Sequence, residues 1–146
     1  MKSKSFAIGV RAEHRQDMID EAMYGRKERG PLGAAAYKLT AQLENGRGVY
    51  TFCMCPGGYV VNASSEPGRL AVNGMSYSGR DGENANSAVI VTVTKDDYGS
   101  DHPLAGMEFQ RRLEKKAWEE GGGNVPIQRF ADFCTGTISV KTGNVT

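Results

Sequence analysis

The segment Asn86-Ser87-Ala88-Val89-Ile90-Val91-Thr92-Val93-Thr94 carries the clearest β pattern in this chain of 146 residues. Its residues are mostly β-branched or small, and apolar residues occur on both faces. Strands of this kind lie inside a sheet with both faces covered. We therefore expect Asn86 to Thr94 to be a central, covered strand around which the other elements assemble.

Weaker strand patterns precede this segment. Phe6 to Glu13 alternates with a period of two, as a half-buried strand does. Asn45-Gly46 is a strong turn signal, and Pro56-Gly57-Gly58 joins two further strands. The predicted strands are Phe6 to Glu13, Tyr37 to Leu43, Gly48 to Cys55, Tyr59 to Ser64 and Leu70 to Asn73.

Two helices complete the predicted elements. Asp17 to Tyr24 is a short helix that ends at Gly25, and Leu104 to Glu120 is a long helix that begins near Pro103. The order of elements lacks the regular strand–helix alternation of a doubly wound fold. We therefore predict one α+β domain over residues 1–146, with a mixed, largely antiparallel β-sheet, one long helix and one short helix.

The long helix has two apolar stripes at 100° per residue. We expect the first stripe to pack on the sheet of this domain. The second stripe is covered either by a neighbouring loop or by a domain that lies outside this chain. The first stripe is formed by Phe109, Leu113 and Ala117, and the second by Leu104, Met107 and Trp118.

The composition excludes several classes of protein. Lys and Arg total 18 against 17 Asp and Glu, so the formal net charge is +1, and we expect no nucleic-acid partner. No apolar run is long enough to span a membrane, and the apolar stretch at the N-terminus is too short for a signal peptide. Three cysteines, an odd number, disfavour a secreted disulfide framework, so we expect a cytoplasmic protein.

Cys53-Met54-Cys55-Pro56-Gly57-Gly58 is the most unusual string in the sequence. On a strand the two thiols would share one face. Three interpretations remain open: two small buried core thiols, a surface that faces a ligand, or a metal site. A metal site needs four ligands, and the remaining Cys and His residues show no recognisable spacing, so we predict no metal.

The stretch from Asn62 to Asn86 is rich in amides, hydroxyls, Gly and Pro. Such groups hold polar ligands through directed hydrogen bonds, and Arg80 could pair with a carboxylate or a phosphate. The alternative is an ordinary solvated loop with Asx turns. The candidate ligand-facing residues of this stretch are Asn73, Ser76, Arg80, Asn84 and Asn86.

A small polar cluster, Arg11, Glu13 and His14, ends the first strand. Glu13 and His14 are acid–base groups in principle, although a single His at a strand end is more often structural. The sequence contains no catalytic Ser-His-Asp order, no P-loop and no dinucleotide-binding glycine fingerprint. The catalytic residues are therefore unassigned.

A series of strings along almost the whole chain resembles the uncharacterised FAD-dependent dehydrogenases of bacteria, a family of NAD(P)/FAD-dependent oxidoreductases. The resemblance is specific because the strings occur in order. They are Phe6-Ala7-Ile8-Gly9-Val10-Arg11-Ala12-Glu13-His14, Tyr37-Lys38-Leu39-Thr40, Gly48 to Gly58, Asn73-Gly74-Met75-Ser76-Tyr77-Ser78, Asn84-Ala85-Asn86-Ser87-Ala88, Pro103-Leu104-Ala105-Gly106, Phe109-Gln110-Arg111 and Gly121-Gly122-Gly123.

This resemblance implies an inner domain, excised from a larger flavoprotein, that caps the flavin and shapes the substrate pocket. The partners would be a flanking FAD-binding domain of the same chain and a small-molecule substrate. We expect FAD in the full-length protein, no FAD bound tightly to this domain alone, and self-association of the isolated domain through exposed apolar surface. The residues expected to face flavin or substrate are Cys53, Cys55, Pro56, Gly57, Gly58, Asn73, Ser76, Arg80, Asn84 and Asn86.

An alternative function is a free-standing module, related to that domain, that binds a small molecule or a protein. The two functions differ in what surrounds the domain in the natural chain. They also differ in whether the stripe of Met107 and Trp118 is covered.

Overall fold

The structure, a computed structural model, describes residues 4–140. It confirms an α+β fold, with strands first and the longest helix near the end. The six strands are β1 (Phe6–Arg15), β2 (Thr40–Gln42), β3 (Gly48–Cys55), β4 (Gly58–Asn62), β5 (Val72–Ser76) and β6 (Asn84–Val93). The four α-helices are α1 (Gln16–Tyr24), α2 (Lys95–Tyr98), α3 (Ala105–Glu120) and α4 (Phe130–Thr135), and Gly30–Leu32 forms one 3-10 turn.

The strands form two antiparallel sheets. The larger sheet has the order β1-β6-β3-β2, and the smaller sheet pairs β4 with β5. In the larger sheet Val89 of β6 is paired with Val10 on one side and with Thr51 on the other. The prediction that β6 is central is therefore confirmed.

The apolar side chains of β6 are less covered than the sequence predicts. Val89, Ile90 and Val91 are only partly buried, whereas Val93 at the end of the strand is 2% exposed. The expectation that both faces of this strand are covered is thus wrong for residues 4–140. The physical reason is that α3 packs at one edge of the sheet and not across the middle of its face.

The stripe of α3 that was expected to lie on the sheet makes only a local contact. The Phe109 ring lies 6.5 Å from the Phe6 ring and 6.0 Å from the Tyr98 ring. Leu113, one turn further along, is 38% exposed. This aromatic cluster fixes the first half of α3 against β1 and α2. The second half contacts the loop before β5, where the Leu70 N–H donates to the carbonyl of Glu114 at 3.0 Å and Arg111 pairs with Glu66 at 3.1 Å.

The second stripe of α3 is only partly covered. Leu104, Met107 and Trp118 are 49%, 40% and 37% exposed, and Gly123 lies close to the Trp118 ring. Within residues 4–140 the loop that follows α3 thus covers Trp118 in part.

Several elements differ from their predicted extents. The strand expected over Tyr37 to Leu43 is reduced to Thr40–Gln42, although the turn at Asn45-Gly46 forms. Helices α2 and α4, of four and six residues, were not predicted, because segments this short carry less than two turns of periodicity. Helices α1 and α3 match their predicted spans within one residue.

Polar side chains occupy the best-buried positions. Gln16 and Asp20 on α1, and Asn86 and Ser87 on β6, are completely buried. Hydrophobic residues buried below a tenth of their surface are few and mostly small among residues 4–140: Ala35, Leu70, Ala85, Val93 and Ala105. The interior of this domain is therefore organised by hydrogen bonds as well as by apolar contacts.

The buried amide and carboxylate of α1 tie three segments together. Gln16 donates to Asp20 Oδ1 at 2.8 Å and to the carbonyl of Ala35 at 3.0 Å, and it accepts from the Gly57 N–H at 2.8 Å. Asp20 also pairs with Arg29 at 2.6 Å and accepts from the Ala35 N–H. This network joins α1 to the 3-10 region and to the turn that follows β3.

Candidate functional site

The end of β3 is distorted by a bulge. Phe52 is paired with Ala88 and Cys55 with Asn86, so three steps along β3 match two steps along β6. Cys53 takes up the irregularity with φ of +46°, a conformation unusual for a residue other than Gly. The two thiols are consequently not arranged as on a regular strand.

Both cysteines of this bulge are accessible. Cys53 is exposed and Cys55 is partly buried, and both are free thiols. The interpretation of Cys53 and Cys55 as buried core residues is therefore wrong. The Cys55 thiol donates to the carbonyl of Cys53 at 3.3 Å, a bond that closes the bulge.

Pro56, Gly57 and Gly58 form the buried floor beneath the bulge. The carbonyl of Pro56 accepts from the Ser76 hydroxyl at 2.7 Å. Gly57, at φ +51°, contacts the backbone of Arg80 so closely that a Cβ would overlap its carbonyl oxygen. These residues hold β3, β4 and the loop before β6 together, and their contact with a ligand stays a prediction.

Arg11 on β1 contacts Cys53, Cys55, Asn73 and Asn86, and we call these five residues the Arg11 cluster. Its Nε donates to Asn86 Oδ1 at 2.9 Å and its Nη1 to Asn73 Oδ1 at 3.2 Å. Its Nη2 donates to the carbonyl of Cys53 at 2.5 Å and lies 3.7 Å from Cys55 Sγ. One guanidinium thus brings together four of the residues that the sequence singled out from two distant segments.

The small sheet approaches Arg11 through a glycine. A Cβ at Gly74 of β5 would collide with the Arg11 guanidinium and with Asn86 Oδ1. Asn86 is completely buried, and its Nδ2 has no hydrogen-bond partner among residues 4–140. The close packing of β5 on β1 and β6 therefore depends on glycine at position 74, which has no side chain.

The remaining candidates lie at the edges of this cluster. Arg80 is exposed, with φ of +48°, and its side chain forms no ion pair in the described part of the chain. Its carbonyl accepts from Arg29 at 3.1 Å. Asn84 donates to Glu13 Oε1 at 2.7 Å, so Glu13 is engaged at the end of β1.

A second polar group lies beside the cluster. His14 Nε2 is 2.7 Å from the Tyr37 hydroxyl oxygen, and His14 Nδ1 is buried without a partner in residues 4–140. Burial raises the pKa of Tyr37, while a hydrogen bond with Ser87 and the positive charge of Arg11 act in the opposite direction. Tyr37 is therefore a neutral phenol at physiological pH.

Two open cavities lie on the surface of the described residues. The first, of about 350 Å³, lies between α2 and the start of α3 and is lined by Tyr98, Ser100, His102, Ala105, Glu108, Phe109 and Arg112. The second, of about 240 Å³, adjoins the bulge and is lined by Tyr37, Lys38, Thr51, Phe52, Cys53 and Met54. No group of three His, Cys, Asp or Glu side chains in residues 4–140 is arranged to hold a metal.

Sequence reasoning found most members of the cluster but not its centre. Arg11 was noted only as part of a polar strand end, because an Arg on the polar face of a strand is usually solvated. Gln16, Asp20 and Tyr37 were not singled out at all. Arg11 alternates with the apolar residues Val10 and Ala12, as a polar residue on the exposed face of a strand does, so no local signal distinguishes it.

Comparison with known proteins gives two matches. A family model described as FAD-dependent protein, C-terminal domain-like, matches residues 5–146. An uncharacterized protein of Clostridium beijerinckii is 54% identical over 149 aligned positions, which cover 99% of this chain and 28% of the relative. The chain thus spans less than a third of the length of that relative.

No helix in residues 4–140 is both long and apolar enough to cross a bilayer.

Proposed function

Because the chain belongs to the FAD-dependent protein, C-terminal domain-like family, we propose that it is the domain that caps the flavin and shapes the substrate pocket of a larger FAD-dependent oxidoreductase. The FAD-binding part of that protein, in the same chain, would be its main partner. The family match over residues 5–146 supports an accessory domain, and the relative leaves room for a second, larger one.

The observation that carries the proposal is the exposed apolar surface. Met107 and Trp118 on α3 are 40% and 37% exposed, and Phe130 and Phe133 on α4 are 72% and 53% exposed. Exposed large apolar side chains are typical of an interface, and we assign those of α3 and α4 to the FAD-binding part.

Residues 4–140 can form one wall of an FAD site but do not enclose FAD by themselves. FAD is larger than the drug-sized molecules that occupy pockets of roughly 300–1,000 Å³. The two cavities, of about 350 and 240 Å³, are therefore too small to enclose it. When bound by the longer protein, the flavin would supply the electron-transfer chemistry. The residues of this chain that we place toward it are Cys53, Cys55 and Asn73, which contact Arg11, together with the exposed Arg80 at the edge of the cluster. Asn86 is completely buried and supports them through its bond with Arg11.

Shielding of the flavin tests the capping role. The protein at its natural length should contain FAD, and iodide should quench the flavin fluorescence weakly. Met107→Glu with Trp118→Glu would separate the domain from its partner, and quenching should rise severalfold. Lys116→Glu, on the opposite side of α3, is the matched control and should leave quenching unchanged. A protein without flavin, or equal quenching in all variants, would overturn the proposal.

The position of the Arg11 cluster has its own test. We expect Cys53→Ser, Cys55→Ser and Arg80→Gln to shift the flavin absorption spectrum of the intact protein, because polar groups near the ring system alter its electronic transitions. Spectra identical to that of the wild type in all three variants would remove these residues from the flavin site.

A further inference from the structure

The cavity between α2 and the start of α3 shares no residue with the Arg11 cluster, and the capping role makes no use of it. Its volume, about 350 Å³, falls within the roughly 300–1,000 Å³ of small-molecule pockets. Tyr98 and Phe109, whose ring centroids lie 6.0 Å apart, are the aromatic residues of its wall. Two residues of opposite charge on successive turns of α3, Glu108 and Arg112, line it as well.

Glu108 and Arg112 are spaced for an ion pair that they do not form. A Glu four residues before a basic residue is the favourable orientation on a helix, and such side chains start about 5–6 Å apart. Helix α3 does form the less favourable reverse pair, between Lys115 and Glu119 at 3.5 Å. Among residues 4–140, neither Glu108 nor Arg112 has an ion-pair partner.

The Phe109 ring explains why this pair stays open. The guanidinium carbon of Arg112 lies 5.2 Å from the centroid of that ring, at the distance of a cation–π contact. Because Phe109 lines the cavity, this contact holds the positive charge at the cavity wall. The carboxylate of Glu108 is left without a cation one turn earlier in the same wall. The cavity therefore offers an unpaired cation and an unpaired anion to one small molecule.

His102 adds a hydrogen-bond donor to the same lining. Its Nδ1 accepts from the Leu104 N–H at 3.3 Å, so we assign the hydrogen of the neutral imidazole to Nε2. An N–H donor and a guanidinium suit a carboxylate, whereas the carboxylate of Glu108 suits an ammonium. The donors and the acceptor thus match a molecule that carries both charges.

We propose that this cavity binds an α-amino acid with an apolar side chain. The carboxylate of the amino acid pairs with Arg112, and its ammonium pairs with Glu108. Its side chain lies against Tyr98 and Phe109. Both charged groups of an α-amino acid are attached to one carbon atom, so they can reach protein groups on adjacent turns of a helix. This binding does not depend on the function proposed above.

Calorimetric titration of the intact protein with L-phenylalanine tests the binding. The analogue 3-phenylpropanoate lacks the ammonium and phenethylamine lacks the carboxylate, while both keep the aromatic ring. Each analogue should bind at least tenfold more weakly than phenylalanine, since it leaves one charge of the cavity unpaired. Equal affinity for phenylalanine and either analogue would overturn the site for a doubly charged ligand, and this comparison requires no variant.

Two variants assign the charges to their residues. Glu108→Gln should bind phenylalanine at least tenfold more weakly and should no longer prefer it to 3-phenylpropanoate. Arg112→Gln should lose the preference for phenylalanine over phenethylamine. Lys116→Gln and Glu120→Gln remove one charge of each sign from α3 outside the cavity, and both should retain the wild-type affinity and preferences. Unchanged preferences in Glu108→Gln and Arg112→Gln would overturn the assignment, because a merely structural role alters stability and not ligand preference.

The outcomes separate this proposal from the capping function. A protein that contains flavin but does not bind phenylalanine at millimolar concentration overturns the amino-acid site and leaves the capping function in place. A protein that lacks flavin but binds phenylalanine with both preferences supports the site and contradicts the capping function.

Discussion

Gly57 illustrates how one backbone position fixes the candidate site. It has φ of +51°, and a Cβ there would overlap the carbonyl oxygen of Arg80. The left-handed conformation costs a non-glycine residue roughly 1–2 kcal/mol, and the overlap adds to this. Because Gly57 also donates to the buried Gln16, any displacement of the turn reaches the interior of the domain.

We expect Gly57→Ala to lower the free energy of unfolding by more than 2 kcal/mol, which exceeds the cost of the conformation alone. Gly46→Ala is the matched control, since Gly46 has φ of +78° with open space around it. It should lose only about 1–2 kcal/mol. Denaturant unfolding of the intact protein measures both, and equal losses would contradict the steric role of Gly57.

Arg11 shows the limit of prediction for single residues. The sequence singles out Cys53, Cys55, Asn73 and Asn86 as candidates to face a ligand, in two separate stretches, because amides and thiols stand out in local composition. The group that joins them comes from a strand more than forty residues earlier, and one sequence contains no local signal of that contact. Long-range hydrogen bonds of this kind become visible only when the sheet register is known.

Helix α2 shows how a short element is held in place by its ends. Thr94 and Asp97 form a reciprocal capping box, and Asp97 also pairs with Arg47 at 2.5 Å. The Arg47 hydrogen bond, followed by the backbone of Thr94, lowers the pKa of Asp97 below its usual value of 3.8. A helix of four residues has little stability of its own, so these contacts decide whether it forms.

This arrangement predicts an acid sensitivity. A lowered folded-state pKa means that ionised Asp97 stabilises the fold above pH 3.8, and that this contribution is lost as the pH falls through the folded-state value. Asp97→Asn should lower the melting temperature at pH 7 and reduce its decline below pH 4. Asp96→Asn removes the same charge from α2 without the cap or the Arg47 pair, and should change neither. Parallel pH profiles of wild type and Asp97→Asn would contradict this account.

At the scale of elements, long and strongly patterned segments were predictable. Strands β1, β3 and β6 and helices α1 and α3 follow directly from periodicity and from their glycine or proline boundaries. Residues 37–39 were expected to be part of a strand, but Tyr37 instead turns toward His14 and Leu39 bonds to Thr51. Tertiary contacts outweighed the local β propensity there.

At the scale of the whole molecule, many large apolar side chains of residues 4–140 are exposed. Met107 and Trp118 on α3 are two of them, and Trp118 is the only tryptophan of the chain. In the longer protein we place this surface against the FAD-binding part. In the isolated chain only solvent or a second copy is available to cover it.

We therefore expect the isolated 146-residue chain to gain molar mass with concentration in light-scattering measurements. Met107→Gln with Trp118→Gln should reduce this association, because both variants replace apolar contact area. Lys116→Gln, on the opposite side of α3, is the control and should associate as the wild type does. A constant monomer mass at high concentration would contradict an exposed interface on this helix.

The polar interior has a thermodynamic consequence for the domain. Unfolding exposes Gln16, Asp20 and Asn86 together with a modest set of apolar side chains. Hydration of newly exposed polar groups lowers the heat capacity, whereas hydration of apolar groups raises it. The heat-capacity change of unfolding should thus fall below the usual ~12–15 cal/mol/K per residue. The stability of this domain would then vary little with temperature, along a broad and shallow curve.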